Sequence, residues 1–147
     1  MIKTMFSKGM LPVVETLSSF AMQRHAVIAN NIANIDTPYF KARDLHVKEF
    51  QKSLTRAIDE RSRGNPRLWG MRSTSHVHVE PMGTFDRTVR VDSEKLDELN
   101  ILGHDENKRS IEAEMSEMSK NLSLHRFANA LMVHEFAALE SAIRERP

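Results

Sequence analysis

The chain has 147 residues and a formal net charge of +1 at pH 7, which gives room for one domain with a modest core. The near balance of 21 basic against 20 acidic residues argues against nucleic acid or an anionic membrane as the main partner. Cysteine is absent, which excludes a disulfide framework, a thiol nucleophile and a cysteine metal site.

The start of the chain lacks the features of a targeting segment. Residues 1–8 have no apolar core and no small-residue cleavage site, so we do not expect a secretory signal peptide. Residues 1–9 also have no clear packing partner, and we expect them to be flexible when the chain is alone. No later segment is long and apolar enough to span a bilayer, so direct membrane insertion is not expected.

The first predicted element is an amphipathic helix from about Met10 to Asn34. Its apolar residues recur mainly at spacings of three, four and seven, which places them on one helical stripe. The members of this stripe are Leu11, Val14, Leu17, Ala21, Ile28, Ile32 and Ile35.

Three asparagines and a turn end this helix. Asn34 is a good terminating residue because Asn tolerates the left-handed conformation, and Pro38 cannot continue a helix. Capping chemistry therefore accounts for Asn34 to Pro38, but not for Asn30 and Asn31. Asn is unfavourable inside a helix, and an amide among isoleucines usually specifies register or partner rather than adding stability.

The middle of the chain has weaker patterns. A short charged helix is predicted from about Leu45 to Asp59, and the breaker cluster at residues 61–66 ends it. Alternation at residues 76–80 and 85–91 fits two short strands of a small hairpin, and a loop or disorder until assembly is an equal alternative. Residues 92–102 are predicted to contain one helical turn.

A second long helix is predicted to start near Ser110. Its apolar positions follow an almost unbroken alternation of four and three, the repeat of a coiled coil. This stripe comprises Ile111, Met115, Met118, Leu122, His125, Asn129, Met132, Phe136, Leu139 and Ile143. A smaller second stripe comprises Leu124, Ala128, Leu131, Ala138 and Ala142. At a rise of about 1.5 Å per residue the helix is roughly 50 Å long.

The predicted fold class is therefore mainly α. Two long terminal helices pack as a parallel or antiparallel coiled coil, with a shorter helix and a small irregular or β-hairpin segment between them. The predicted division is a flexible N-terminus at residues 1–9, a helix and turn at 10–44, a middle segment at 45–109 and a C-terminal helix at 110–147.

Two motifs resemble a known family. Residues 30–34 (Asn-Asn-Ile-Ala-Asn) followed by residues 36–38 (Asp-Thr-Pro) resemble the N-terminal signature of bacterial flagellar rod, hook and hook–filament junction proteins. Residues 36–44 are most similar to the B-type proximal rod proteins, and residues 114–121 resemble the C-terminal motif of the family. Tyr39 stands where the family commonly has Gly, which permits positive φ, so the resemblance leaves the turn geometry open.

The resemblance implies a structural subunit of the proximal rod rather than an enzyme, with no cofactor. Such a subunit assembles through its terminal helices into the hollow axial drive shaft. The implied partners are other rod subunits, the MS-ring adaptor and the flagellar export gate, in homo- and hetero-oligomeric contacts. The implied location is the periplasmic rod of the basal body, reached by type III export without a cleaved signal peptide.

We predict that the asparagines hold lateral contacts and that the turn directs the chain outward. The methionines of the C-terminal stripe are adaptable at interfaces with non-identical neighbours. The predicted interface residues are Asn30, Asn31, Asn34, Asp36, Thr37, Pro38, Phe40, Met115, Met118, Leu122, Asn129, Met132 and Phe136. Replacing Asn31 by Ala is expected to leave the chain soluble and to stop assembly.

Other readings of the sequence stay open. The same helices would serve a cytoplasmic coiled-coil adaptor or regulator that forms a homodimer. His76, His78 and Glu80 share one face of a predicted strand and are zinc-ligand types, but a spacing of two is common by chance and no fourth ligand is evident. The arginines of residues 56–72 are diluted by acidic neighbours, so we expect a solvated loop there rather than a nucleic-acid site.

Overall fold

A computed structural model describes residues 10–63, 70–82, 86–95 and 111–144. The helices are α1 (Leu11–Ala33), α2 (Val47–Arg63) and α3 (Ile111–Arg144). The strands are β1 (Arg43–Leu45), β2 (Val77–Met82), β3 (Asp86–Val91) and β4 (Ser93–Lys95). The described part of the chain is mainly helical, with a small hairpin in its middle, as the sequence predicted.

The two long helices pack on each other in antiparallel orientation. Asn31 near the end of α1 bonds to Glu114 near the start of α3, whereas Ala21, earlier in α1, bonds to Asn121, later in α3. This register settles the orientation, which the sequence left open. Because both helices rise by about 1.5 Å per residue, Leu11 lies opposite about residue 134. The last turns of α3, residues 133–144, therefore run past the start of α1, and we call them the overhang.

The opposite face of α1 covers the main core. Phe20 of α1 stacks on Phe50 of α2 with ring centroids 3.9 Å apart. The hairpin closes this core with apolar side chains that alternate along its strands, as a half-buried sheet requires. The buried members are Phe20, Leu45, Phe50, Ala57, Met71, Val77, Val89 and Val91. Helix α1 thus lies between α3 on one side and the α2–hairpin core on the other.

Two antiparallel strand pairs make up the middle segment. Strands β2 and β3 form the hairpin, with Val77 opposite Val91, which confirms the predicted hairpin over a loop. Strands β1 and β4 form a second pair, with Asp44 opposite Glu94. One helical turn was predicted within residues 92–102; of these, Ser93–Lys95 form a strand because they pair with β1, and the rest lies outside the described residues.

The helix bounds agree closely with the periodicity. Helix α1 was predicted from Met10 to Asn34, and α3 begins beside the predicted Ser110. Helix α2 starts later than predicted because Leu45 belongs to β1, and it continues to Arg63 at the breaker cluster. The predicted flexible residues 1–9 and residues 96–102 lie outside the described residues.

Candidate assembly interface

The buried amide of Asn31 holds strand β1 against the end of α1. Asn31 is 3% exposed. Its Nδ2 donates to the backbone oxygen of Arg43 at 2.7 Å, and the Arg43 N–H donates to Asn31 Oδ1 at 3.0 Å. Nδ2 also lies 3.3 Å from Oε2 of the buried Glu114 on α3. One amide therefore joins α1, β1 and α3, a role within the subunit that accounts for a polar residue among isoleucines.

An arginine fork adds a charged contact among the same three elements. Arg24 donates through Nε to Asp44 Oδ1 at 2.9 Å and through Nη2 to Asp44 Oδ2 at 2.6 Å. Nη2 also donates to Glu117 Oε2 on α3 at 2.9 Å. The Asp44 hydrogen bond is the main cause of a raised Arg24 pKa. Hydrogen bonds first from Lys120 and then from Arg24 lower the pKa of Glu117 despite its partial burial.

Helix α3 packs on α1 through a line of residues spaced by seven. Its buried members are Glu114, Asn121 and Ala128. Asn121 Nδ2 donates to the backbone oxygen of Ala21 at 2.8 Å. Asn121 Oδ1 is buried and has no hydrogen-bond partner among the described residues. Together with Asn31 and Arg24, these contacts form what we call the polar seam, which fixes the register of α1 against α3.

The predicted apolar stripe of α3 lies beside this buried line rather than on it. Since successive residues of a helix are about 100° apart, Met115 and Leu122 sit one residue's rotation from Glu114 and Asn121. Met115 is 59% exposed, and Leu122 and Phe136 are also exposed. Met118 and Met132 are half-buried. The stripe thus leaves apolar surface available on the outside of the α1–α3 pair.

Asn129, one of two polar members of the predicted stripe, is exposed and linked to α1. The Ser18 hydroxyl donates to Asn129 Oδ1 at 2.9 Å, while Asn129 Nδ2 lies 3.4 Å from His125 Nε2. Its contacts in this chain are therefore at the rim of the helix pair.

The turn after α1 is built by the other two asparagines. Asn34 Nδ2 donates to Asn30 Oδ1 at 2.6 Å, and the Thr37 N–H donates to the Asn34 backbone oxygen at 2.9 Å. Asn34 caps α1 at φ −110°, so it is not left-handed as its residue type suggested. Asp36, Thr37 and Pro38 are exposed, and Phe40 is half-buried.

Tyr39 carries the unusual backbone of this turn. Its φ is 61°, the only positive φ among the described non-glycine residues. Glycine adopts such a conformation freely, and here the chain adopts it although a side chain is present. The side chain itself is 85% exposed.

A second amide clamp was missed by sequence reasoning. Gln23 Nε2 donates to the backbone oxygen of Val89, and the Val91 N–H donates to Gln23 Oε1 at 3.2 Å. The Gln23 amide thus makes the two backbone hydrogen bonds along β3 that a neighbouring strand would make. The sequence shows Gln23 as a polar residue beside the apolar stripe of α1, but no local pattern identifies Val89 and Val91 as its partners.

The histidines of the middle segment make paired contacts. His78 Nε2 lies 2.9 Å from Asp92 Oδ2, a contact that is the main cause of a lowered Asp92 pKa. The ring of His76 stacks on that of His46 with centroids 3.9 Å apart. Among the described residues, no group of three or more His, Asp or Glu side chains is placed to hold a metal ion.

Comparison with known proteins points to one family. The family model described as "Flagella basal body rod protein" matches residues 17–41, which span most of α1 and the following turn. Two relatives, both named "Flagellar basal body rod protein FlgB", match much more of the chain. The protein from Borrelia hermsii is 33% identical over 129 residues, covering 82% of this chain and 85% of that relative.

The second relative extends the likeness to a different organism. The protein from Aquifex aeolicus (strain VF5) is 32% identical over 103 residues, covering 70% of this chain and 67% of that relative. No solved structure matches the chain. Within the described residues, no helix has both the length and the apolar character that crossing a membrane requires.

Proposed function

Since this chain belongs to the family of flagellar basal body rod proteins, of the FlgB type, it is a structural subunit of the rod, and we propose that it builds the proximal rod through its terminal helices. The likeness to the Borrelia relative over most of both chains carries the family assignment. The exposed stripe of α3 supports the proposed mode of assembly.

The α1–α3 pair is the proposed building block. The polar seam sets its register, since the hydrogen bonds of Asn31, Arg24 and Asn121 are satisfied only when each faces its own partner. A pair of fixed register presents its outer residues at fixed positions. Assembly into a hollow axial tube needs such repeatable positions on every subunit.

The exposed stripe is the proposed contact with neighbouring subunits. Met115, Leu122 and Phe136 keep a third to more than half of their surface exposed. Burying these fractions in a contact contributes roughly 3 kcal/mol of apolar stabilisation, given about 1.5–3 kcal/mol for each full side chain. The flexible side chains of Met115 and Met118 fit neighbours of different sequence, as a rod built from several proteins requires.

The proposed partners follow from this position in the flagellum. As a rod protein the chain assembles with other rod components of the basal body. We further propose contacts with the MS-ring adaptor and the export gate, in a periplasmic rod reached by type III export without cleavage of a signal peptide. The turn at residues 34–42, with the exposed Asn30 beside it, belongs to this contact surface, and the buried Asn31 supports the surface from within the subunit by holding β1.

Fractionation of flagella tests the proposal. In a strain that carries this chain as its only copy, the chain is expected to co-purify with hook–basal bodies. Leu122→Glu is expected to abolish this and motility while the purified variant keeps its helical content, because a carboxylate in an apolar contact is costly to desolvate. The matched control is Phe127→Glu, which alters an exposed apolar residue on a different face of α3 and is expected to assemble.

Two results would contradict the proposal. The first is a chain found only in the cytosol as a homodimer, as expected of a coiled-coil adaptor. The second is equal incorporation of Leu122→Glu and the unchanged chain into basal bodies, which would remove the stripe from the assembly contact.

A further inference from the structure

Helix α2 carries a row of three basic side chains on its outer face. Lys48, Lys52 and Arg56 follow one another at intervals of four residues, which places successive members about 6 Å apart along the helix axis. All three are exposed, and none forms a hydrogen bond or an ion pair with another described residue. We call these three residues the basic row.

The basic row points away from the core of the subunit. The buried residues of α2, Phe50 and Ala57, lie on the other side of the helix, and Phe50 stacks on Phe20 of α1. Helix α3, with its exposed stripe, packs on a different side of α1. The basic row and the stripe of α3 can therefore contact different neighbours at the same time.

The placement of these charges opposes the stability of the helix. Like charges four residues apart repel each other, and the basic row contains two such pairs. Lys48 is also the second residue of α2, at the positive end of the helix dipole, where a cation is unfavourable. Residues that break a local rule of stability are expected at functional surfaces.

Acidic neighbours offset the basic row only in part. Residues 47–56 contain the three basic residues of the row and one acid, Glu49, which gives a net charge of +2. The whole of α2 contains five basic and three acidic residues, which again gives +2. Among these acids, Glu60 lies 3.4 Å from Arg72 and is thus paired outside the row. The outer face of α2 is therefore positively charged whichever segment is counted.

The surroundings of the row favour an acidic protein over other anionic partners. Phe50, Leu54 and Ala57 pack into the core, so α2 does not offer a lipid surface the apolar side by which an amphipathic helix inserts. Phe50 is also the only aromatic residue of α2, so no ring is exposed on this helix for nucleic-acid bases to stack on. Asp59, exposed on the same face as the row, repels a phosphate backbone but is compatible with the mixed charges of a protein surface.

We propose that the basic row docks on a row of carboxylates on a helix of a neighbouring subunit in the rod. A helix with Asp or Glu at every fourth position presents carboxylates at the same spacing of about 6 Å, so each cation of the row meets one anion. Charge pairing of this kind selects an acidic neighbour over a basic one and fixes its position along α2. This inference rests on the proposed rod function and names the chemistry of one neighbour within it.

Carbodiimide cross-linking of isolated hook–basal bodies tests the contact. The reagent joins an amine to a carboxylate that touches it, with loss of water and without a spacer. Peptide mass spectrometry is expected to show Lys48 or Lys52 joined to an Asp or Glu of a neighbouring protein. Lys120 is the internal control, since its Nζ lies 2.8 Å from Oε1 of Glu117 in the same chain.

The internal control decides how a negative result is interpreted. A link between Lys120 and Glu117, without any link from Lys48 or Lys52 to another protein, would overturn the proposal. This outcome is expected if the basic row is solvated, and also if it lies against lipid or nucleic acid.

Reversing the central charge of the row separates contact from stability. Lys52→Glu replaces both repulsive pairs by attractive ones, so the purified variant is expected to keep or raise its thermal midpoint. It is nevertheless expected to incorporate several-fold less into basal bodies, because a carboxylate then faces the carboxylates of the neighbour. The matched control is Arg63→Glu, which makes the same change of charge at an exposed residue of α2 outside the row and is expected to incorporate normally.

Two results with these variants would overturn the proposal. One is equal incorporation of Lys52→Glu and the unchanged chain. The other is an equal loss of incorporation in Lys52→Glu and Arg63→Glu, which would follow from the net charge of the chain rather than from the row.

The same basal bodies distinguish this inference from the function beneath it. If the unchanged chain is absent from them, the proposed assembly itself fails. If the chain is present and Lys120 is linked to Glu117 while Lys48 and Lys52 stay unlinked, the row has no acidic neighbour and this inference alone fails.

Discussion

Removing the Asn31 amide is expected to loosen β1 from the helix pair without unfolding the chain. In Asn31→Ala, the Arg43 N–H and backbone oxygen lose the two hydrogen bonds, of 3.0 and 2.7 Å, that fix β1 to α1. The buried Glu114 loses a donor at 3.3 Å. Since β1 carries Asp44, the partner of Arg24, the change also weakens the charged contact beside it.

The size of this effect follows from the bonds. Each net hydrogen bond contributes about 1 kcal/mol, and partly buried groups left without a partner add to the loss, for a total of roughly 3 kcal/mol. Domains of this size typically have unfolding free energies of about 5–15 kcal/mol, so the variant stays folded. The expected fall in the thermal midpoint is about 6–12 °C, from about 2–4 °C per kcal/mol for chains of this length.

Thermal unfolding followed by circular dichroism measures this, with Asn30→Ala as the matched control. Asn30 is exposed and bonds only locally to Asn34 among the described contacts, so its loss is expected to change stability by less than about 0.5 kcal/mol. Asn31→Ala is also expected to remain soluble and to fail in rod assembly. Equal thermal midpoints for the two variants would refute the claim that Asn31 stabilises the fold by holding β1 against α1.

Two further predictions concern the polar seam. Asn121→Leu is expected to destabilise the chain by about 1 kcal/mol or more in urea denaturation, because it removes the hydrogen bond to the Ala21 oxygen and places a larger side chain at a fully buried position. A gain in stability would mean that the buried Asn121 oxygen without a described partner costs more than this bond contributes. The pKa of Glu117 is lowered by hydrogen bonds from Lys120 and Arg24, so its stabilisation is present above its ordinary pKa of 4.5 and is lost as pH falls through the lower folded value. The unfolding free energy is therefore expected to fall as pH drops below 4.5, and to fall less steeply in Glu117→Gln. If the unfolding free energy of both chains depends on pH in the same way, Glu117 does not cause this pH dependence.

The periodicity of the sequence predicted both long helices and their pairing, but not which face pairs. The main hydrophobic stripe pointed to Met115 and Leu122, and only the smaller stripe included Ala128; α1 covers Ala128 together with Glu114 and Asn121. The buried line contains the acid Glu114 and the amide Asn121, and hydrophobic periodicity predicts polar residues of this kind to lie on the surface. Their partners lie on another helix, so their burial depends on long-range contacts that no local pattern records.

The backbone conformation of the turn at residues 34–42 also could not be predicted from local residue preferences. Residue type favours Asn34 for the left-handed conformation and disfavours Tyr39, yet the structure has the reverse. The Asn31 clamp and the turn hydrogen bonds decide the outcome. The pair of three-residue strands, β1 and β4, is likewise too short for an alternating pattern, and it forms because Arg43–Leu45 meets Ser93–Lys95 far along the chain.

A density map of hook–basal bodies that contain this chain would show whether it assembles through the outer stripe of α3. We expect the map to place the chain in the proximal rod with α1 and α3 still antiparallel, Asn31 beside Glu114, and the stripe of Met115, Leu122 and Phe136 against neighbouring subunits. A rod in which this stripe faces solvent, or basal bodies without the chain, would contradict it.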